Sequence, residues 1–190
     1  MPKKADISMT TKAKRLILMM LTIVSVLTEV HAQDHMEYMG ISMNQTIDSF
    51  AVALQDKGYK LSPASQKVPK GKRLFVGSFG EDKVNLTVSY GVHTHYVTDV
   101  AVDFPEEKDL QKFMLFYEAM KRVITEAYCT DGEVVNEMGS MDVLPTYGMS
   151  MDYGKVIISI NPKKNYGLIV TYTDQVNTVE ERKLRYDPVE

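Results

Sequence analysis

The feature that most constrains the fold of this chain is a strict alternation near its middle. Val84, Leu86, Val88 and Tyr90 are apolar or aromatic, and Asn85, Thr87 and Ser89 between them are polar. Successive side chains of a strand point to opposite faces, so a period of two describes a strand with one buried and one wet face. Strands of a parallel sheet are covered on both faces and read as unbroken apolar runs. The alternation therefore predicts an antiparallel sheet that is covered on one side.

The flanking sequence extends that sheet. Arg73–Phe79 reads as a strand joined to Val84–Tyr90 through the hairpin turn Gly80-Glu81-Asp82-Lys83. Gly91 breaks the chain, and Tyr96–Phe104 follows as a third strand with Tyr96, Thr98, Val100, Val102 and Phe104 on its buried side. Further on, Tyr147–Asp152, Lys155–Ile160 and Leu168–Thr173 read as strands, with Glu133-Val134-Val135 as a short candidate. Met36 to Met43 reads as an extended lead-in, Tyr59 to Leu61 as a short strand, and Ser62 to Lys72 as loop.

Two helices supply the cover. Thr46 is a good N-cap, Asp48 lies in the first turn, and Ile47, Phe50, Ala51 and Leu54 share one face before Gly58 ends the helix. The second helix runs from Pro105 to about Tyr128, with Leu110, Phe113, Met114, Tyr117, Ile124 and Ala127 inward and Phe116, Met120 and Val123 widening the stripe. The last ~15 residues are charged and read as a frayed tail. The fold class is thus α+β, an antiparallel sheet with two helices packed on one face. Arg73–Tyr90 also lies on Lys155–Tyr172 without a gap, Leu86-Thr87-Val88-Ser89-Tyr90 matching Leu168-Ile169-Val170-Thr171-Tyr172. This suggests a tandem helix-plus-hairpin repeat with half-repeats 39–104 and 105–173. The layout resembles the fold of the β-lactamase inhibitor protein and of the small outer-membrane assembly lipoproteins. Met39-Gly40-Ile41, Ile47-Asp48-Ser49-Phe50 and Gly58-Tyr59 also resemble uncharacterised secreted α+β proteins of Gram-negative gut bacteria. That resemblance implies an envelope setting and transfers no functional residue, and the lipidated cysteine of the lipoproteins has no counterpart.

Residues 1–32 read as an export signal. Lys3, Lys4, Lys12, Lys14 and Arg15 precede an apolar run from Leu16 to Leu27, and Val30-His31-Ala32 suits a signal peptidase. The run is about 12 residues, short of the ~20 that span a bilayer. Cleavage after Ala32 leaves residues 33–190 as a single domain, periplasmic or secreted. The whole chain carries net charge −3; loss of the +3 of residues 1–32 leaves −6 on the body. An acidic body without a basic cluster disfavours nucleic acid and anionic membranes. Lys70, Lys72 and Arg73 read as a solvated turn, as do Lys163 and Lys164. The single cysteine, Cys129, forms no intramolecular disulfide and reads as a buried inert thiol.

No catalytic signature is present. There is no G-x-S-x-G elbow and no phosphate loop, and Glu106, Glu107 and Asp109 suit a helix N-terminus better than acid–base chemistry. No cofactor is implied. His93, His95 and Asp99 form a candidate metal set if the two histidines share a strand face. The sequons at Asn44 and Asn85 read as chance matches. A methionine-rich stretch holds Met138, Met141, Met149 and Met151, with Tyr147 beside it. Methionines suit permissive contacts. Ile157 and Ile169 sit on the faces opposite Val156/Ile158 and Leu168/Val170, and so point outward from a sheet covered on one side. The leading expectation is an exported non-enzymatic binding or protein-interaction module of the bacterial envelope. It would contact an envelope or extracellular protein, or a second copy of itself, through Met138, Met141, Tyr147, Ile157 and Ile169. The alternatives are a secreted metal-dependent protein or enzyme using His93 and His95, and a structural or assembly protein of the envelope.

Overall fold

The structure is a computed structural model that describes residues 35–128, 132–137 and 146–186. The leader, Cys129, Met138 and Met141 lie outside the described residues. Eight antiparallel strands form the main sheet. They are β3 (Lys60–Leu61), β4 (Lys72–Phe79), β5 (Asp82–Tyr90), β6 (Val97–Asp103), β7 (Glu133–Glu137), β8 (Thr146–Met151), β9 (Gly154–Ile160) and β10 (Leu168–Asp174). A separate ribbon pairs β1 (Glu37–Tyr38) with β2 (Ile41–Ser42), turning at Met39 and Gly40, both at positive φ. Three α-helices, α1 (Ile47–Asp56), α2 (Leu110–Tyr128) and α3 (Gln175–Tyr186), and a 3-10 helix at Pro63–Lys67 complete the described fold.

The element order is a helix followed by four strands, twice over. The sheet order is β3-β4-β5-β6-β10-β9-β8-β7, so the two four-stranded meanders meet where β6 pairs with β10. The match of 73–90 to 155–172 lays β4 and β5 on β9 and β10. By place in the sheet, however, their counterparts are β8 and β9. A period of two fits either way, because alternation records which face a residue occupies and not which strand it belongs to.

Register fixes the two faces. Phe75, Leu86, Val102, Val170, Ile158 and Tyr147 are directly paired across six strands, and so share one face. Val88, Val100, Tyr172, Val156 and Met149 form the next row of that face. Both rows belong to one apolar cluster with Ile47, Phe50 and Leu54 of α1 and with Phe113, Tyr117, Met120 and Ile124 of α2. The β1–β2 ribbon closes the same side. Met36, Tyr38 and Met43 are fully buried, and the Tyr38 ring meets Tyr59 and Tyr172 edge to face. Tyr59 lies over Gly77, where a Cβ would collide with its ring.

The local signals act as expected at α1. Thr46 caps it by accepting from the Ser49 amide at 3.4 Å, and Gly58 takes φ +89° just beyond its end. The second helix starts later than Pro105. Asp109 caps it by accepting from the amides of Gln111 and Lys112 at 2.8 and 3.2 Å, and Leu110, expected inward, is 51% exposed on its first turn. A bulge at Ser89/Tyr90 sets Val97 opposite Tyr90, so Val97 joins the buried set of β6.

The largest departure is α3. The charged tail, expected to fray, is helical from Gln175 to Tyr186. It docks with polar rather than apolar side chains. Asp174 caps it through the Asn177 amide at 2.8 Å, and the Asn177 side chain donates to the carbonyls of Met43 and Val97 at 3.0 and 2.8 Å. Glu181 lies one turn further along the same face and is also buried.

Candidate interaction face

The rows that the cluster omits make up the other side of the sheet. Leu74, Thr87, Ala101, Thr171 and Ile157 are paired in one line from β4 to β9. Val76, Asn85, Asp103, Ile169 and Ser159 form the next line. None of these residues belongs to the apolar cluster or packs against it. Alternation places them there, since each follows or precedes a core residue by one position. Ile157 lies beside Thr171 on the neighbouring strand, and Ile169 is two residues before Thr171, so the two isoleucines are diagonal neighbours. Val76 is 40% exposed on the far side of the face.

Polar groups rim this face. Lys164 Nζ donates to both oxygens of Asp103 at 2.9 Å and to the Phe104 carbonyl at 2.7 Å, and Asn161 donates to Asp103 at 2.8 Å. Lys164 is therefore engaged across the sheet, in contrast to the solvated turn read from the sequence. At the opposite end the Thr173 hydroxyl donates to Asp99 at 2.8 Å. The middle of the face carries Leu74, Ala101, Ile157 and Ile169 with Thr87, Thr171 and Asn85, and its charges stand at the ends of the strands.

The contact residues read from the sequence do not fall together. Ile157 and Ile169 lie on the open face. Tyr147 lies on the covered face, where its hydroxyl shares a hydrogen bond with the Thr125 hydroxyl of α2 and Lys121 Nζ sits 5.0 Å from its ring centre. Met149 and Met151 are buried in the core. The Met-rich stretch thus contributes core at its described end, because β8 directs alternate side chains under α2.

The candidate metal set is also dispersed. His93 and His95 occupy the loop between β5 and β6 rather than a strand, so their spacing of two gives no shared face. His95 has φ +62°, and its ring lies roughly parallel to Tyr90, with the ring centres 6.5 Å apart. The His93 amide is turned toward Glu181, and Asp99 is engaged by Thr173. Among the described residues no three His, Cys, Asp or Glu side chains converge as a metal site.

Sequence reading missed the carboxylate that organises this loop. Glu181 accepts from the amides of Val92 (3.0 Å), His93 (3.2 Å) and Thr94 (3.0 Å) and from the Thr94 hydroxyl (3.1 Å). Burial works to raise its pKa, but the Thr94 and His93 amides, the Thr94 hydroxyl and the Val92 amide together favour the charged form, and the net shift is downward. Gly91 makes this approach possible, since a Cβ there would collide with Thr94 Oγ1 and Glu181 Oε2. The only sequence signal was the spacing Asp174, Asn177, Glu181, a polar stripe at helical intervals.

Among the described residues no helix is long and apolar enough to cross a membrane. No protein-family model, curated protein or solved structure matches this chain.

Proposed function

We propose that this chain is an exported, non-enzymatic binding module that recognises a protein partner through the open face of its sheet. The observation that carries the reading is that, among the described residues, the apolar core lies against one face of the sheet, while Leu74, Ile157 and Ile169 on the other are only half-buried and Val76 is exposed. α1, α2 and the β1–β2 ribbon share a single core with one face, while Ile157, Ile169, Leu74 and Val76 stand on the other. A sheet face of this composition suits a partner that brings its own apolar surface, and a second sheet would pack on it face to face at about 10 Å. The polar rim, with Asp103–Lys164 at one end, sets the register of such a contact.

The reading leaves Tyr147 out of the contact, because that side chain is committed to α2. The envelope setting rests on the leader at residues 1–32 and on the acidic body that its removal leaves. The test compares the protein with its Ile157→Asp and Ile169→Asp variants. Photo-crosslinkers at Thr87 and Thr171 on the open face, and at Glu118 on the outer surface of α2, report which side meets the partner in the native envelope and medium. Crosslinks at Thr87 and Thr171 that disappear in the two variants are expected. Crosslinks of equal yield at Glu118, or capture unchanged by the variants, would overturn the reading. Sedimentation of the purified protein separates a second copy from a different partner.

A further inference from the structure

The foot of the sheet carries a concavity whose charge opposes that of the body around it. It measures about 270 Å³ and opens between the entry to β4, the β5–β6 loop and α3. Lys70 and Lys72 line it from the β4 side, and Arg182 and Arg185 from α3. Two carboxylates also line it, and both have partners. Asp99 accepts from the Thr173 hydroxyl, and Glu181 is held by the amides of the β5–β6 loop. Among the described residues none of the four cations is ion-paired. All four side chains are exposed, so solvent screens most of their mutual repulsion, and an anion among them relieves what remains.

The chemistry of the lining narrows the ligand. Arg182 and Arg185 are three apart on a helix, so their guanidinium groups are neighbours on one surface. Planar guanidinium forks match the oxygens of phosphate, and lysines complement them as point charges. Four cations against two carboxylates leave a formal +2 in the cleft. A phosphate monoester carries close to two negative charges at neutral pH, whereas a single carboxylate carries one. Tyr90 also lines the cleft, its ring already faced by the Arg73 guanidinium at 5.9 Å and lying roughly parallel to the His95 ring. The volume is below the range of drug-sized sites, so the ligand is small. We infer that this cleft binds a small ligand through a dianionic phosphate group, with Arg182 and Arg185 as the fork and Lys70 and Lys72 completing the charge. This site is separate from the middle of the open face.

The experiment titrates inorganic phosphate into the purified protein and follows backbone amides by NMR. Saturable shifts confined to residues 70–72, 90–92, 98–99 and 178–185 are expected. The Arg182→Gln/Arg185→Gln double variant should lose at least about tenfold in affinity, the equivalent of one charged hydrogen bond. Lys72→Glu should lose a similar factor from the opposite wall, while Lys163→Gln binds as the parent does. Neither arginine takes part in docking α3, so melting temperature and the Thr94 amide resonance verify that the fold is kept. Sedimentation with vesicles of phosphatidylcholine, with and without phosphatidic acid, distinguishes the source of the phosphate. Binding to free phosphate assigns a soluble ligand, and binding only to phosphatidic acid vesicles assigns a lipid headgroup, provided the double variant abolishes it. Shifts scattered over surface lysines, affinity unchanged in the double variant, or no binding in either arm would overturn the inference.

Discussion

At the scale of single residues, Gly91 and Glu181 act as a pair. The glycine removes the one atom that would block the carboxylate, and the carboxylate then satisfies three loop amides. Bonds to an ionised acceptor are stronger than neutral ones, so Glu181→Gln should destabilise the fold by about 2 kcal/mol, read from denaturant midpoints. The pH dependence has a definite sign. Glu181 has a lowered pKa in the folded chain. Its contribution is complete above the ordinary glutamate value of ~4.3 and is lost as the pH falls through the folded value. Melting curves should therefore show the gap between the parent and Glu181→Gln closing as the pH is taken from 6 to about 3. Tyrosines work in the opposite direction. Burial, reinforced by Tyr59, pushes Tyr172 up to about 12. The unfolded chain loses that proton first, near pH ~10, so stability is full below that value and falls as the pH climbs toward 12. Tyrosinate absorbance should rise together with loss of the far-ultraviolet signal.

At the scale of elements, α3 shows how a helix with few apolar residues can be held. Val176 and Val179 are only half-buried and Leu184 is exposed, so burial of apolar surface contributes little to its docking. Here Asn177, 1% exposed, supplies two hydrogen bonds to backbone carbonyls of other elements. Removing the donor leaves those carbonyls buried without it. Asn177→Ala should therefore cost about 2–4 kcal/mol, and hydrogen exchange should accelerate across 175–186 before it does in β5. The same reasoning explains why the sequence reads the tail as frayed. Apolar periodicity carries the information that a helix packs, and this helix packs through polar atoms whose partners lie some 80 to 134 positions away in the chain. In contrast, β5, α1 and most of α2 were legible because their alternation, cap and stripe are local. The start of α2 was not, because Asp109 rather than Pro105 provides the cap.

At the scale of the molecule, the proposed function has the two faces of the sheet separate stability from recognition. Ile157 and Ile158 are adjacent in β9 and point to opposite sides. Ile158 is fully buried in the core, so Ile158→Asp should cost more than about 4 kcal/mol and leave the chain unfolded. Ile157→Asp and Ile169→Asp should change stability by less than about 1 kcal/mol and act on partner binding instead. Thermal melts of the three variants check this difference. Comparable losses in all three would mean that the open face is covered by part of the chain itself. The proposed phosphate cleft belongs to this scale too, because its cations come from the entry to β4 and from α3 and no shorter unit contains it.

The sequence by itself determined the fold class, the positions of most strands and helices, and the core-facing side of β5, β6, β9 and β10. These depend on periodicity and capping, which act over a few residues. Only the tertiary structure decided the pairing of β6 with β10, the docking of α3, the loop position of His93 and His95, and the meeting of Lys70 and Lys72 with Arg182 and Arg185. Each joins groups far apart in the chain. Their proximity depends on strand order and on specific polar bonds, and neither leaves a repeating mark in the order of residues.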